Sequence, residues 1–235
     1  MSFNYSLNWL EMKGIQDKQT LLHLLKDHDQ KSYEYSLYVA MLNDALGMEL
    51  GMEEEERYAV FLGGLFHDIG KLGMDKSFIH YPDSYSKEMI DEMRKHVTGG
   101  VDLLSYIEAD PILIDAVRHH HTNYDGSGYP GGKVRKGIPL HARMTRISDS
   151  ADAYMTDRSY KAGGPIMGLK NDLSQFEGSW YDPYILDHYF AMHERITGEA
   201  ERRGVDNLDK EVYMRMIFDL YAKDSFERFL QEWMD

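Results

Sequence analysis

Apolar residues recur along this chain at spacings of three and four, with no sustained apolar–polar alternation of the kind a half-buried strand shows. Leu37, Met41 and Ala45 step by four up to Gly47, which predicts a helix stopping near that glycine. Glu53 to Glu56 place acidic charge where a helix N-terminus favours it, and Tyr58, Leu62, Leu65 and Ile69 carry the next stripe to Gly70. Beyond a loop with Pro82, Ser86 opens another predicted helix through Met89, Met93, His96, Gly100 and Leu103. Pro111 suits the first turn of a further one, on which Leu113, Val117 and His120 align. Asp125 to Pro139 holds five glycines and two prolines, too many for a helix interior, and reads as an ordered loop with room for a short hairpin. Helical spacing resumes near Leu140: Met144, Ile147 and Ala151 mark an apolar face, while Asp149 and Asp152, three apart, share another. After breaks at Gly163–Pro165 and Gly178–Pro183, the tail reads as two or three amphipathic helices, so the expected class is all-α.

Composition narrows the function classes. With 43% apolar and 28% charged residues over 235 positions, the chain can bury a real core. No apolar run approaches the roughly 18 residues of a membrane span, and the opening residues lack a signal-peptide pattern, which reads as a cytoplasmic protein. The absence of cysteine removes disulfides and thiolate sites, so a metal would have to be held by imidazole and carboxylate. A formal charge of −14 argues against polymeric nucleic acid but leaves a small phosphate ligand open, given local compensation by cations.

Six residues of metal-ligand type fall at predicted helix ends or on stripes that should be buried: His67, Asp68, His96, His120, His121 and Asp149. A single histidine on an apolar face is ordinarily a core residue that needs one or two hydrogen bonds. Here four histidines and two aspartates end or line four separate predicted helices, which packing can converge on one cavity. Burying them without partners is costly, and a first-row metal offers all of them one solution. His23, His28, His80, His119, His141, His188 and His193 read as structural or surface residues.

The series His67-Asp68-Ile69-Gly70-Lys71, His96, His120-His121, Asp125-Gly126-Ser127-Gly128-Tyr129-Pro130, Ile138-Pro139-Leu140 and Asp149 resembles, in order and spacing, the HD-GYP family, over about Lys31 to Pro183. The resemblance implies an HD-domain helical bundle with a Gly/Pro-rich loop, binding two divalent metal ions, iron or manganese by preference, with nickel or zinc compatible. It also implies hydrolysis of cyclic di-GMP to linear pGpG, to GMP, or to both. Carried over residue by residue, His67, Asp68 and Asp149 serve one metal, and Asp68 with His96, His120 and His121 the other. Lys71 faces the scissile phosphate, Tyr129, Arg158 and Lys161 contact the ligand, and Asp152 supports the centre from behind. The expected organisation is a helical extension over 1–30, a metal-binding domain over 31–183, and C-terminal helices over 184–235 packing on the same domain. The partners implied are a cyclic dinucleotide and, for regulation, a second copy of the chain or a signalling protein.

Departures from that pattern keep other readings open. Tyr35 stands where the family usually has another metal-binding histidine, Tyr38 where it has an arginine, and Thr122 where a glutamate commonly follows the His-His pair. Lys31 replaces the glutamate of members with a third metal, which argues against a trinuclear site. The alternatives are a degenerate domain that binds a cyclic dinucleotide or a protein without hydrolysis, or a phosphohydrolase of another nucleotide.

Overall fold

The computed structural model describes residues 10, 12–157 and 162–233, and among these there is no strand. The helices are α1 (Lys18–His28), α2 (Gln30–Glu49), α3 (Glu54–Phe66), α4 (Lys76–Ile79), α5 (Lys87–Met93), α6 (Lys95–Tyr106), α7 (Pro111–His119), α8 (Leu140–Met155), α9 (Leu169–Ser174), α10 (Pro183–Arg202), α11 (Lys210–Ile217) and α12 (Lys223–Trp233). The all-α expectation is met. Leu42 and Leu46 of α2, Phe61, Leu65 and Phe66 of α3, Leu103 of α6, and Met144 and Ile147 of α8 are fully buried in one hydrophobic core. The tail contributes α10 against α2 and α8, then α11 and α12 through a π-helical turn at Phe218–Ala222.

Four local expectations need correction. α2 runs through Gly47 to Glu49, and the glycine that ends it is Gly51, at φ +71. α3 stops at Phe66 rather than Gly70, so Asp68 (φ −102, ψ 11) lies in the link to a 3-10 turn, Ile69–Gly73, and not on an α-helix. The stripe from Ser86 to Leu103 spans two helices, α5 and α6, broken at Arg94; apolar spacing carries across that break although only α6 sends residues into the core, α5 burying none. The Gly/Pro-rich loop forms no hairpin, only an isolated bridge between Thr122 and Gly128 and a 3-10 turn at Arg135–Gly137.

One close approach positions the site. A Cβ on Gly70 would lie 1.8 Å from the His96 carbonyl oxygen and 2.5 Å from the Gly100 nitrogen. The 3-10 turn after Asp68 therefore rests backbone to backbone on α6, which brings Asp68 beside His96.

Candidate metal centre

Three of the buried histidines are aimed by the same device. His67 Nδ1 donates to the Gly64 carbonyl (2.7 Å), His96 Nδ1 to the Met93 carbonyl (2.7 Å) and His120 Nδ1 to the Val117 carbonyl (2.6 Å), each three residues back. Those carbonyls belong to the last turn of a helix or to the link before one, where they lack a partner in the ladder. With Nδ1 carrying the proton, each Nε2 presents a lone pair, the arrangement by which proteins orient imidazoles toward a metal.

The Nε2 atoms then meet other acceptors. His96 Nε2 and His120 Nε2 are 3.2 Å apart, and one ligand atom from each of His96, His120 and His121 falls within 4.8 Å of the others. Asp68 stands between two groups: Oδ1 is 3.4 Å from His96 Nε2, while Oδ2 is 3.2 Å from His67 Nε2 and 2.5 Å from Lys71 Nζ. Asp149 Oδ1 approaches His67 Nε2 at 3.7 Å. His67, Asp68, His96 and His120 are buried, and His121 is partly so. Two imidazole lone pairs facing each other in a dry interior repel unless a cation lies between them. A nitrogen and oxygen donor set without sulfur suits a first-row divalent ion.

Charge states favour this use. Burial pulls the His96, His120 and His121 imidazoles below their ordinary range, His120 and His121 well below, so they stand neutral at physiological pH. For Asp68, burial pushes upward, but Lys71, His67 and His96 together hold the carboxyl well below its usual range. His67 is drawn down by burial and more strongly up by Asp68 and Asp149, to about 9. A proton there occupies the place a metal ion would take.

The HD-domain family profile matches residues 19–185. The chain belongs to the HD-domain family. A cyclic di-GMP phosphodiesterase of Thermotoga maritima is 28% identical over 190 residues, covering 79% of this chain and 51% of that protein. A 3′3′-cGAMP-specific phosphodiesterase of Vibrio cholerae is 32% identical over 142 residues, covering 60% of this chain and 33% of that one. The chain thus spans about half the length of the first and a third of the second. Among solved structures, an HDG"Y"P protein of Bdellovibrio bacteriovorus aligns with a TM-score of 0.59 at 20% identity, over 77% of this chain and 58% of that one, which shows the shared fold. The family read from the His-Asp pair and the Gly-Tyr-Pro loop is borne out.

Other sequence-predicted residues of this HD domain are distributed as follows. The Tyr129 ring stacks on His121 at 4.7 Å with 29° between planes, and Arg94 covers the ring at 5.3 Å. Asp152, one turn beyond Asp149 on α8, is buried and meets Lys210 Nζ at 2.6 Å. Tyr35 lies under the same ammonium, at 5.2 Å. Arg158 and Lys161 lie outside the described residues.

Sequence reasoning missed four cations near the centre. Arg146 donates to Asn123 Oδ1 (2.9 Å) and lies over Trp180 at 4.8 Å, which ties the loop to the 176–181 segment; its place one turn before Asp149 was a readable signal. Arg94 and Lys95, with Val97, Thr98, Tyr129 and Pro130, line a groove of about 230 Å³ beside the histidines. Lys210, from the tail, had no local signal.

Proposed function

We propose that this HD domain is a metal-dependent phosphodiesterase that opens cyclic dinucleotides, cyclic di-GMP above all, to linear pGpG, to GMP, or to both. The observation that carries the reading is the Asp68 carboxylate, with one oxygen toward His96 and the other toward His67 and Lys71. That arrangement supports two divalent ions, iron or manganese by preference, with nickel or zinc compatible: His67, Asp68 and Asp149 would hold one, and Asp68, His96, His120 and His121 the other. When bound, such ions lower the pKa of a water and neutralise charge on phosphoryl oxygens.

The chain's own residues supply the rest. The neutral imidazoles bind without giving up protons, because burial has already removed them. Lys71 holds Asp68 ionised and presents its ammonium where a scissile phosphate would gather negative charge. The stack of His121, Tyr129 and Arg94 beside the groove offers a nucleobase a flat wall with cations at its rim. Relatives named for cyclic di-GMP and for 3′3′-cGAMP act on one chemistry, a ring of two nucleotides closed by phosphodiesters, so the base is the open variable.

A second reading is a domain that binds its nucleotide without hydrolysis. What favours it is Tyr35, which stands in place of a histidine and lies under the Lys210 ammonium. Metal content of the chain purified without chelator, paired with hydrolysis of cyclic di-GMP and 3′3′-cGAMP with and without added iron or manganese, separates these cases. Bound metal with turnover is the expected result. Metal without turnover moves the reading to the binder or to another nucleotide, and no metal after addition overturns both.

A further inference from the structure

We propose that Lys210, on α11 and beyond the residues the family profile matches, is a positioning residue for the metal centre: its ammonium holds the Asp152 carboxylate off the centre, leaving Asp149 as the carboxylate α8 contributes. The inference rests on the metal-centre reading above.

Lys210 is the first residue of α11, fixed there by Asp209, whose side chain caps the Val212 amide at 3.0 Å. Its side chain is only 17% exposed and reaches inward. Nζ lies 2.6 Å from Asp152 Oδ1, 2.5 Å from Thr156 Oγ1, 4.5 Å from the Tyr38 ring centre and 5.2 Å from that of Tyr35. The ammonium thus sits in a cage of one carboxylate, one hydroxyl and two ring faces, a set suited to a partly desolvated cation. Thr156 closes the cage by donating to the Asp152 carbonyl (2.7 Å) and, more weakly, to Oδ2 (3.2 Å).

Asp152 has need of that cation. It is 4% exposed and lies one turn from Asp149 on the same helix, so its charge is disfavoured both by burial and by Asp149. A buried carboxylate without a partner seeks the nearest positive charge. With Lys210 removed, that is the metal centre beside Asp149, where a second carboxylate from α8 would alter the ligand set.

The test uses the full chain loaded with cobalt(II), whose visible absorption reports ligand number and geometry. Lys210→Met should shift those bands and lower kcat about tenfold, as loss of an outer support does, with KM within about twofold. Lys210→Arg and the double variant Lys210→Met/Asp152→Asn should both return the wild-type spectrum, the first by restoring the cation and the second by removing the charge it answers. A wild-type spectrum in Lys210→Met, or a shifted one in the double variant, overturns the proposal while leaving the metal centre intact. If Lys210→Met does not fold, Asp152→Asn is compared with the double variant: equal spectra support the proposal, and unequal spectra mean that Lys210 acts by another route and overturn it. Failure of the wild-type chain to take up cobalt overturns the metal-centre reading itself.

Discussion

The two ends of α3 each carry a cluster of buried polar groups, roughly 15 Å apart by helical rise, and they are built on opposite rules. At the N-terminal end, donors meet acceptors. Arg57 Nε and Nη2 bind the two oxygens of Asp44 at 2.9 and 3.2 Å, and Nη2 also reaches the Tyr221 carbonyl at 3.2 Å. Nearby, Asn43 donates to the Val60 carbonyl (3.0 Å) and to Thr145 Oγ1 (2.9 Å). At the C-terminal end, acceptors meet acceptors: His96 Nε2 faces His120 Nε2, and that of His96 also faces the Asp68 carboxylate. In the first cluster the Arg57–Asp44 pair is answered within the chain and joins α2, α3 and the tail. The second sets three neutral imidazoles beside Asp68, whose charge Lys71 and His67 answer at Oδ2, and that surplus of acceptors marks it as a place for something the chain does not carry.

Breaking each cluster should therefore have different consequences. The largest effect is expected from Asp68→Ala, which removes the carboxylate shared by both groups. Loss of a supporting outer partner alone costs about 10- to 100-fold in metal affinity or activity, and loss of this ligand should exceed that, with metal released and no measurable hydrolysis. Unchanged metal per chain, by elemental analysis, would sink the assignment. Arg57→Met strands the Asp44 carboxylate in the core and should cost about 3–5 kcal/mol of stability in denaturant unfolding. Metal per folded chain should stay as in the wild type; a loss of metal there would mean that the two ends of α3 are not independent.

Acid sharpens the same contrast. His96, His120 and His121 have folded pKa values pulled below 6.5 by burial, so the unfolded chain binds more protons than the folded one as pH falls past 6.5. Stability is then fully present above that pH and declines below it. His67 acts oppositely: raised to about 9, it contributes stability at low pH that is lost as pH rises through 9, but it stands against three. Chelator-treated protein should lose on the order of 1–3 kcal/mol between pH 7.5 and 5.5, each neutral imidazole counting up to about 1.4 kcal/mol per pH unit. A thermal midpoint that rises over that range would show that the imidazoles do not stand neutral.

The contrast also explains what the sequence disclosed. α2, α3, α7 and α8 could be read because their apolar residues repeat every three or four positions, and metal-type residues on those stripes stand out as groups with a burial cost. The break at Arg94 could not be read, since Met93 and His96 keep helical spacing across it. Nor could the non-helical turn at Asp68, which is imposed by contact between Gly70 and α6 rather than by local propensity. Lys210 and Asp152 lie 58 positions apart and meet only after the tail folds back; one lysine at a helix start looks like any solvated charge. Arg57 with Asp44 is a similar case, with each residue unremarkable in its own helix.

Arg94 separates ligand from metal within the second cluster, with the smallest expected effect. Its guanidinium lies 5.3 Å from the Tyr129 ring centre, and its side chain is 49% exposed with Asp91 at 2.8 Å. It takes no part in the excess of acceptors around Asp68, so metal content should not change in Arg94→Ala. What the variant removes is one cationic wall of the groove beside the histidines. A cation on an aromatic face at an exposed site contributes about 0.5–1 kcal/mol, so KM for a cyclic dinucleotide should rise roughly two- to fivefold with kcat unchanged. A fall in kcat at constant KM would place Arg94 with the transition state instead, and no change in either would take the groove out of the binding site.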